Sequence, residues 1–175
     1  MESKFCPKMT DEKYALVEKI VKDVHNVLCK TVDLYSFDII PVHTNLRNKS
    51  PVVCVENCLG LESWCVKQVY LHCYSELMEN ICAKSQRQYK KSSLLNSESL
   101  VKLLNVTLLI NPDLCVLWNK RRNMLQESLL DSTLEMKFTS LVLSRKPKCN
   151  DAFAYRRWIL ETFILSMVLL HIFEI

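Results

Sequence analysis

Apolar residues return at steps of three and four from Tyr14 through Val17, Val21, Val24 and Leu28, which predicts an amphipathic helix over residues 11–30. Thr10 before Asp11 and Glu12 supplies an N-cap and an acidic first turn, which suits the positive end of a helix dipole. The pattern then breaks over residues 31–60, where Pro41 and Pro51 punctuate the chain and "PVVCV" reads as a short extended piece before Gly60. Helical spacing resumes from Leu61 to about Ala83, through Trp64, Cys65, Leu71 and Tyr74. A polar, serine-rich and basic connector, "KSQRQYKKSSLLNSES", occupies 84–99.

Beyond the connector the pattern repeats. Pro112 and Pro147 lie 35 residues apart, and at that offset Trp118 meets Phe153, Arg121 and Arg122 meet Arg156 and Arg157, and Leu125 meets Leu160. Upstream, "SLVKLLNVTLLI" at 99–110 finds its counterpart in "TLEMKFTSLVLSR" at 133–145, with Leu103 opposite Phe138 and Val106 opposite Leu141. Ser132 and Glu135 form an S-x-x-E capping box that marks the start of the second unit. Each unit reads as helix, proline-containing turn, helix: 100–110 with 114–129, and 133–145 with 151–170. In each second helix an aromatic and a leucine stand two turns apart on one face, so Trp118 and Phe153 are expected at equivalent, largely buried positions.

A period near 35 with two helices per unit predicts an all-α fold, an α–α superhelix: a solenoid of antiparallel helical hairpin repeats. Residues 1–97 would be an N-terminal helical region and polar connector, and residues 98–175 two repeats with a divergent apolar tail. Tetratricopeptide repeats have a similar period, but place glycine and alanine at their helix crossings, and these units do not. The aromatic and the arginine pair are the signature instead. Guanidinium groups on an inner helix face need acidic or carbonyl partners. Two readings are open: the arginines tie successive repeats together, or some of them face a partner protein or an anionic ligand.

Composition supports the helical reading. The chain has one glycine, Gly60, where average usage would give roughly a dozen. Tight β-turns and phosphate-cradling loops depend on glycine, which weighs against a β-sandwich, a dinucleotide fold or a P-loop. The net charge of +4 is mild and acids are interspersed, so no nucleic-acid partner is expected. Nine cysteines are odd in number and irregular in spacing, without a CxxC pair or paired metal-ligand histidines. They read as small reduced thiols in a cytoplasmic protein, with no metal site, and the sequons at Asn48 and Asn105 as unused. Met1 to Thr10 is polar and charged, unlike a signal peptide.

At "NPDLCVLWNKRR" and "KPKCNDAFAYRRW" the sequence resembles the α subunits of protein prenyltransferases, whose repeat carries a proline-containing turn, a tryptophan and an arginine pair. The segment "VENCLGLESWCVK" before the repeats adds to the likeness, which covers roughly residues 11–160. The resemblance implies hairpins wrapped around a separate β subunit that holds a catalytic zinc and the isoprenoid diphosphate, with no cofactor in this chain. The implied reaction transfers an isoprenoid, by resemblance geranylgeranyl, to a cysteine thiol near the C-terminus of a protein substrate. Lys148 matches the position of a lysine that approaches the diphosphate, and the alternative for it is a solvated loop lysine. Trp118, Arg121, Arg122, Phe153, Tyr155, Arg156 and Arg157 are the repeat-motif or partner-facing residues. The chain departs from the family at Phe153, where tryptophan is usual, and at Asn150, where some relatives have tyrosine. The family continues with further repeats where this chain reads "ETFILSMVLLHIFEI", so a shortened product is expected. That apolar run is shorter than the roughly 20 residues needed to span a bilayer. A non-catalytic α-solenoid scaffold needs the same core pattern and stays open as the rival.

Overall fold

The structure is a computed structural model, and it describes residues 11–31, 33–42, 50–85 and 95–164. The elements run α1 (Asp11–Lys30), β1 (Ser36–Ile40), β2 (Val52–Val55), β3 (Cys58–Glu62), α2 (Ser63–Ser85), α3 (Ser97–Ile110), α4 (Cys115–Gln126), α5 (Ser132–Arg145) and α6 (Asn150–Ile159), which continues as a π-helical segment, Leu160–Ile164. None of the helices among the described residues is long and apolar enough to cross a membrane.

α1 follows its periodicity, with Val17, Ile20, Val21 and Val24 buried in one stripe. Its expected cap, Thr10, lies outside the described residues. The stretch after α1 corrects the all-α expectation. The molecule is mostly helical but carries a three-stranded sheet in the order β1-β3-β2, with β1 parallel and β2 antiparallel to β3. "PVVCV" is extended as anticipated, whereas Leu61 belongs to β3 and not to the following helix. Periodicity could not show this, because β3 is buried from Leu59 to Glu62 and so lacks the alternation of a half-exposed strand. Glu56 and Asn57 make the two-residue turn between β2 and β3, both with positive φ (47° and 64°), the conformation that matches strand twist in a tight hairpin. A Cβ on Gly60 would meet the tip of the Ile40 side chain, which would have to shift to make room.

The two hairpins are α3–α4 and α5–α6. Asn96 caps α3 by accepting from the backbone N–H of Ser99 at 2.7 Å. The cap of α5 is Asp131, which accepts from Leu134 N at 2.9 Å, so the proposed Ser132–Glu135 box does not form. α4 stops at Gln126, short of the expected 129, in a closing turn with Ser128 in the left-handed region (φ 57°). There Leu129 N donates to Met124 O and Ser128 N to Leu125 O, which uses two orphan carbonyls of the helix end. α6 runs on through the π-helical segment to Ile164, and residues 165–170 of its expected span lie outside the described residues.

The hairpins keep the 35-residue register. Leu100, Leu103, Leu104, Val106 and Thr107 of α3 are buried, and so are Glu135, Phe138, Thr139, Leu141 and Val142, their counterparts in α5. α4 packs on α6, and α3 on α5, while α1 and α2 cover α3. The sheet closes on the second hairpin, where the N–H of Phe37 in β1 donates to Ser144 Oγ at 3.0 Å. One continuous apolar core therefore runs from α1 to α6.

Candidate functional site

The motif residues converge where the first hairpin meets the second. Pro112, in the turn before α4, has its carbonyl oxygen pointed back at the helix, where Trp118 Nε1 donates to it at 2.8 Å. The buried Trp118 ring then packs against Phe138, with centroids 6.3 Å apart, and Tyr155, 5.1 Å apart. Cys149 Sγ also approaches Pro112 O, at 3.5 Å. One turn further along α4, Arg121 is buried. It grips Glu135 of α5 with two bonds, Nε to Oε2 at 2.7 Å and Nη2 to Oε1 at 2.5 Å. Its remaining arm, Nη1, donates to Asn105 Oδ1 at 2.8 Å, and its Cζ lies 4.1 Å from the Phe138 ring centre. Tyr155 OH completes the shell by donating to Glu135 Oε2 at 2.8 Å.

Burial alone would make the Arg121 cation harder to keep, but the Glu135 carboxylate outweighs it and raises the guanidinium pKa above its ordinary value. Tyr155 is raised too, by burial first and by Glu135 second, so its hydroxyl stays a donor. A buried bidentate pair with every arm used is a structural lock. Arg121 thus takes the first of the two readings open for it: it ties the hairpins together. Tyr155, wholly buried, is equally internal.

The second unit repeats part of this arrangement. Arg156 Nη1 donates to Ser140 Oγ at 2.6 Å, and the spacing of that pair equals that of Arg121 and Asn105, 16 residues. It also reaches Met136 O at 3.0 Å and Thr139 Oγ1 at 3.1 Å. Each first-position arginine therefore bonds back to the first helix of its own hairpin. The counterpart of Glu135 is position 170, which lies outside the described residues.

Phe153 departs from expectation. It is 50% exposed, while Trp118 is buried. The buried stripe of α6 is Ala152, Tyr155 and Ile159. Trp118 is covered by the following hairpin, and no described element covers Phe153 in the same way; lacking an N–H, it also cannot bond the Pro147 carbonyl. Phe153, Ala154, Arg157 and Leu160 instead border a shallow depression of about 560 Å³ with Asn150 and Arg156. Arg122 is half-buried, 5.5 Å from the Trp158 ring centre. Lys148 is exposed in the turn between α5 and α6 and does not border that depression. The structure thus gathers Trp118, Arg121 and Tyr155 inside, and leaves Lys148, Phe153 and Arg157 outside.

Glu135 and Asn105 are the residues that motif reading missed. The signal for Glu135 was available: its counterpart at the 35-residue offset is Leu100, so a carboxylate occupied a core position near an arginine pair. Asn105 stands in a sequon, and its burial against Arg121 denies that site to a glycan. The described cysteines are free thiols, and burial raises the pKa of Cys65 to about 11 and of Cys73 to about 12. No cluster of metal-ligating side chains occurs among the described residues.

No family model matches the chain. Curated proteins do. Protein prenyltransferase alpha subunit repeat-containing protein 1 of Danio rerio is 33% identical over 151 residues, 86% of this chain and 34% of its own length. The protein 1-B of Xenopus laevis is 30% identical over 159 residues, 90% of this chain and 35% of its own. The Homo sapiens protein 1 is 30% identical over 155 residues, 89% and 37% respectively. The chain is a homologue of the protein prenyltransferase alpha subunit repeat-containing proteins. It spans about a third of the length of these relatives. Within this chain the arginine-to-first-helix bond recurs once per unit.

Proposed function

We propose that this chain is an α-subunit-like component of a heterodimeric protein prenyltransferase, acting in the cytoplasm, whose hairpins form part of a superhelix that docks a catalytic β subunit. The observation that carries this reading is the pair of hairpins in 35-residue register, locked by Arg121 and Glu135, in a homologue of proteins named for prenyltransferase α repeats. In this reading the zinc and the isoprenoid diphosphate belong to the β subunit, and the acceptor is a cysteine near the C-terminus of a protein substrate, taking a geranylgeranyl group. This chain alone is not catalytic.

Thiol alkylation needs a thiolate and a stabilised leaving group. The exposed turn between α5 and α6 offers Lys148 for the second task. Its ammonium would meet the negative charge that grows on the diphosphate as the bond to the isoprenoid breaks, an interaction stronger in the transition state than with bound substrate. Asn150, two residues on, supplies no phenol.

Co-expression of the chain with prenyltransferase β subunits tests the docking. A stoichiometric complex on size exclusion supports it, and its absence for every β subunit transfers the favour to the solenoid scaffold. In a prenyl-transferring complex, Lys148→Ala should lower the single-turnover rate by about tenfold to a thousandfold. Assembly should change little, because one exposed turn residue adds little to a large interface. An unchanged rate makes Lys148 an ordinary solvated lysine.

A further inference from the structure

Between the C-terminal turns of α1, the middle of α3 and the start of α5 lies a groove of about 740 Å³, with the Arg121–Glu135 lock on one side of it. Its walls are apolar, with Leu28, Leu34, Val101, Leu134, Phe138 and Leu141 among them. The volume falls within the roughly 300–1,000 Å³ of small-molecule pockets, which join apolar walls to a few placed polar groups.

One such polar group is present. Asn105 lines the groove, is 6% exposed, and has its Oδ1 on Arg121 Nη1. A guanidinium can only donate, so this bond fixes the orientation of the amide and turns Nδ2 away from Arg121. Nδ2 has no hydrogen-bond partner among the described residues, and it is not among the side-chain atoms sealed without one, which are those of Asn80 and Arg122 Nε. A donor therefore opens onto an apolar cavity. The charges nearby balance in number: Arg121 is paired with Glu135, and one acid, Asp131, and one base, Lys137, also line the groove. At the mouth, Cys29 Sγ lies 3.5 Å from His25 Nε2, and burial lowers the pKa of that imidazole.

We infer that this groove binds a neutral apolar molecule bearing one carbonyl, its oxygen accepting from Asn105 Nδ2 and its hydrocarbon lying between α1 and α5. The observations that carry it are the orphaned donor and the uncharged balance of the walls, and it stands apart from the prenyltransferase reading. An anionic head would meet the Asp131 carboxylate, and a pure hydrocarbon would leave Nδ2 unpaired.

The test uses 2-decanone as the probe on the full chain. Methyl NMR should show saturable shifts confined to Val101, Leu134 and Leu141. Alkylation of Cys29 by N-ethylmaleimide, followed by peptide mass spectrometry, should slow at least threefold at saturation. Asn105→Asp keeps an oxygen for Arg121 and replaces the donor with an acceptor, so affinity for the ketone should fall at least fivefold. Val101→Phe, which fills the groove, should abolish the shifts in a chain of unchanged melting behaviour. Shifts spread over unrelated methyls, no shift at all because the chain's own segments fill the groove, or undiminished binding by Asn105→Asp would each overturn the proposal.

Discussion

The hairpins α3–α4 and α5–α6 are built on one plan but stand in different surroundings. α3 is buried on both faces: Leu100, Leu103 and Val106 are inside, and so are Asn105, Leu108 and Leu109. In α5 the counterparts of the first set, Glu135, Phe138 and Leu141, are buried, but those of the second, Ser140, Leu143 and Ser144, are exposed or partly so. The same divergence separates α4, with Trp118 and Leu125 buried, from α6, with Phe153 and Leu160 exposed. A repeat sequence therefore specifies a face, and neighbours decide whether the face becomes core. The first hairpin has α1 and α2 on one side and the second hairpin on the other. The second has the first hairpin and the edge of the sheet.

The largest way to break this asymmetry is at the lock. Glu135→Leu leaves Arg121 charged, buried and without its carboxylate, which should cost about 3–5 kcal/mol in urea denaturation. The leucine itself fits, since Leu100 fills the corresponding place in the first hairpin. Arg156→Leu, on the more open hairpin, removes bonds to neutral acceptors at a half-buried site and should cost about 1 kcal/mol. If the lock is ionic as drawn, adding Arg121→Met to Glu135→Leu should restore most of the lost stability. Equal costs for Glu135→Leu and Arg156→Leu would erase the distinction between the hairpins.

A second lever lies in the cover over α3. Cys73 of α2 is fully buried, its thiol facing Thr107, and burial raises its pKa from near 9 to about 12. The raised value means that the folded state keeps a proton that the unfolded chain gives up. The stability associated with this thiol is whole below pH 9 and is lost as pH rises from there towards 12. By pH 10.5 the decline should approach about 2 kcal/mol. Cys73→Ala should flatten the alkaline slope even though the cavity lowers stability at neutral pH. An unaltered slope in that variant would detach the alkaline loss from Cys73.

How much of this was legible follows from what each signal encodes. Helical spacing located α1 to α6, and the 35-residue offset paired α3 with α5 residue by residue, because both record local geometry that a buried helix must satisfy. The strands β1 and β3 were not legible: "SFDII" and "CLGLE" are short, and burial of β3 on both faces erased the two-residue alternation. The lock was half legible. Arg121 announces a need for a carboxylate, but Glu135 also satisfies a capping-box pattern with Ser132, a local signal that competes with the tertiary one although Asp131, one position before Ser132, serves as the cap. Exposure of Phe153 was not legible at all, since its covering neighbour is a matter of tertiary context.

The smallest test compares the two aromatics directly. Trp118→Phe gives the first hairpin the side chain of the second, keeping a ring against Phe138 and Tyr155 but losing the Nε1–H that bonds Pro112 O. The carbonyl retains only the weaker approach of the Cys149 thiol, so the substitution should cost about 1–2 kcal/mol for the unmade bond and the reduced ring area. The reciprocal change, Phe153→Trp, restores a donor near Pro147, but the ring stands on an exposed face, where packing returns little. Its effect should stay within about 0.5 kcal/mol. If a partner covers α6 as the prenyltransferase reading requires, Phe153→Trp should acquire an effect in the complex that it lacks in the isolated chain. Denaturation of the free chain and of the complex, side by side, measures that difference. A tryptophan at 153 that is silent in both would place Phe153 outside the docking face.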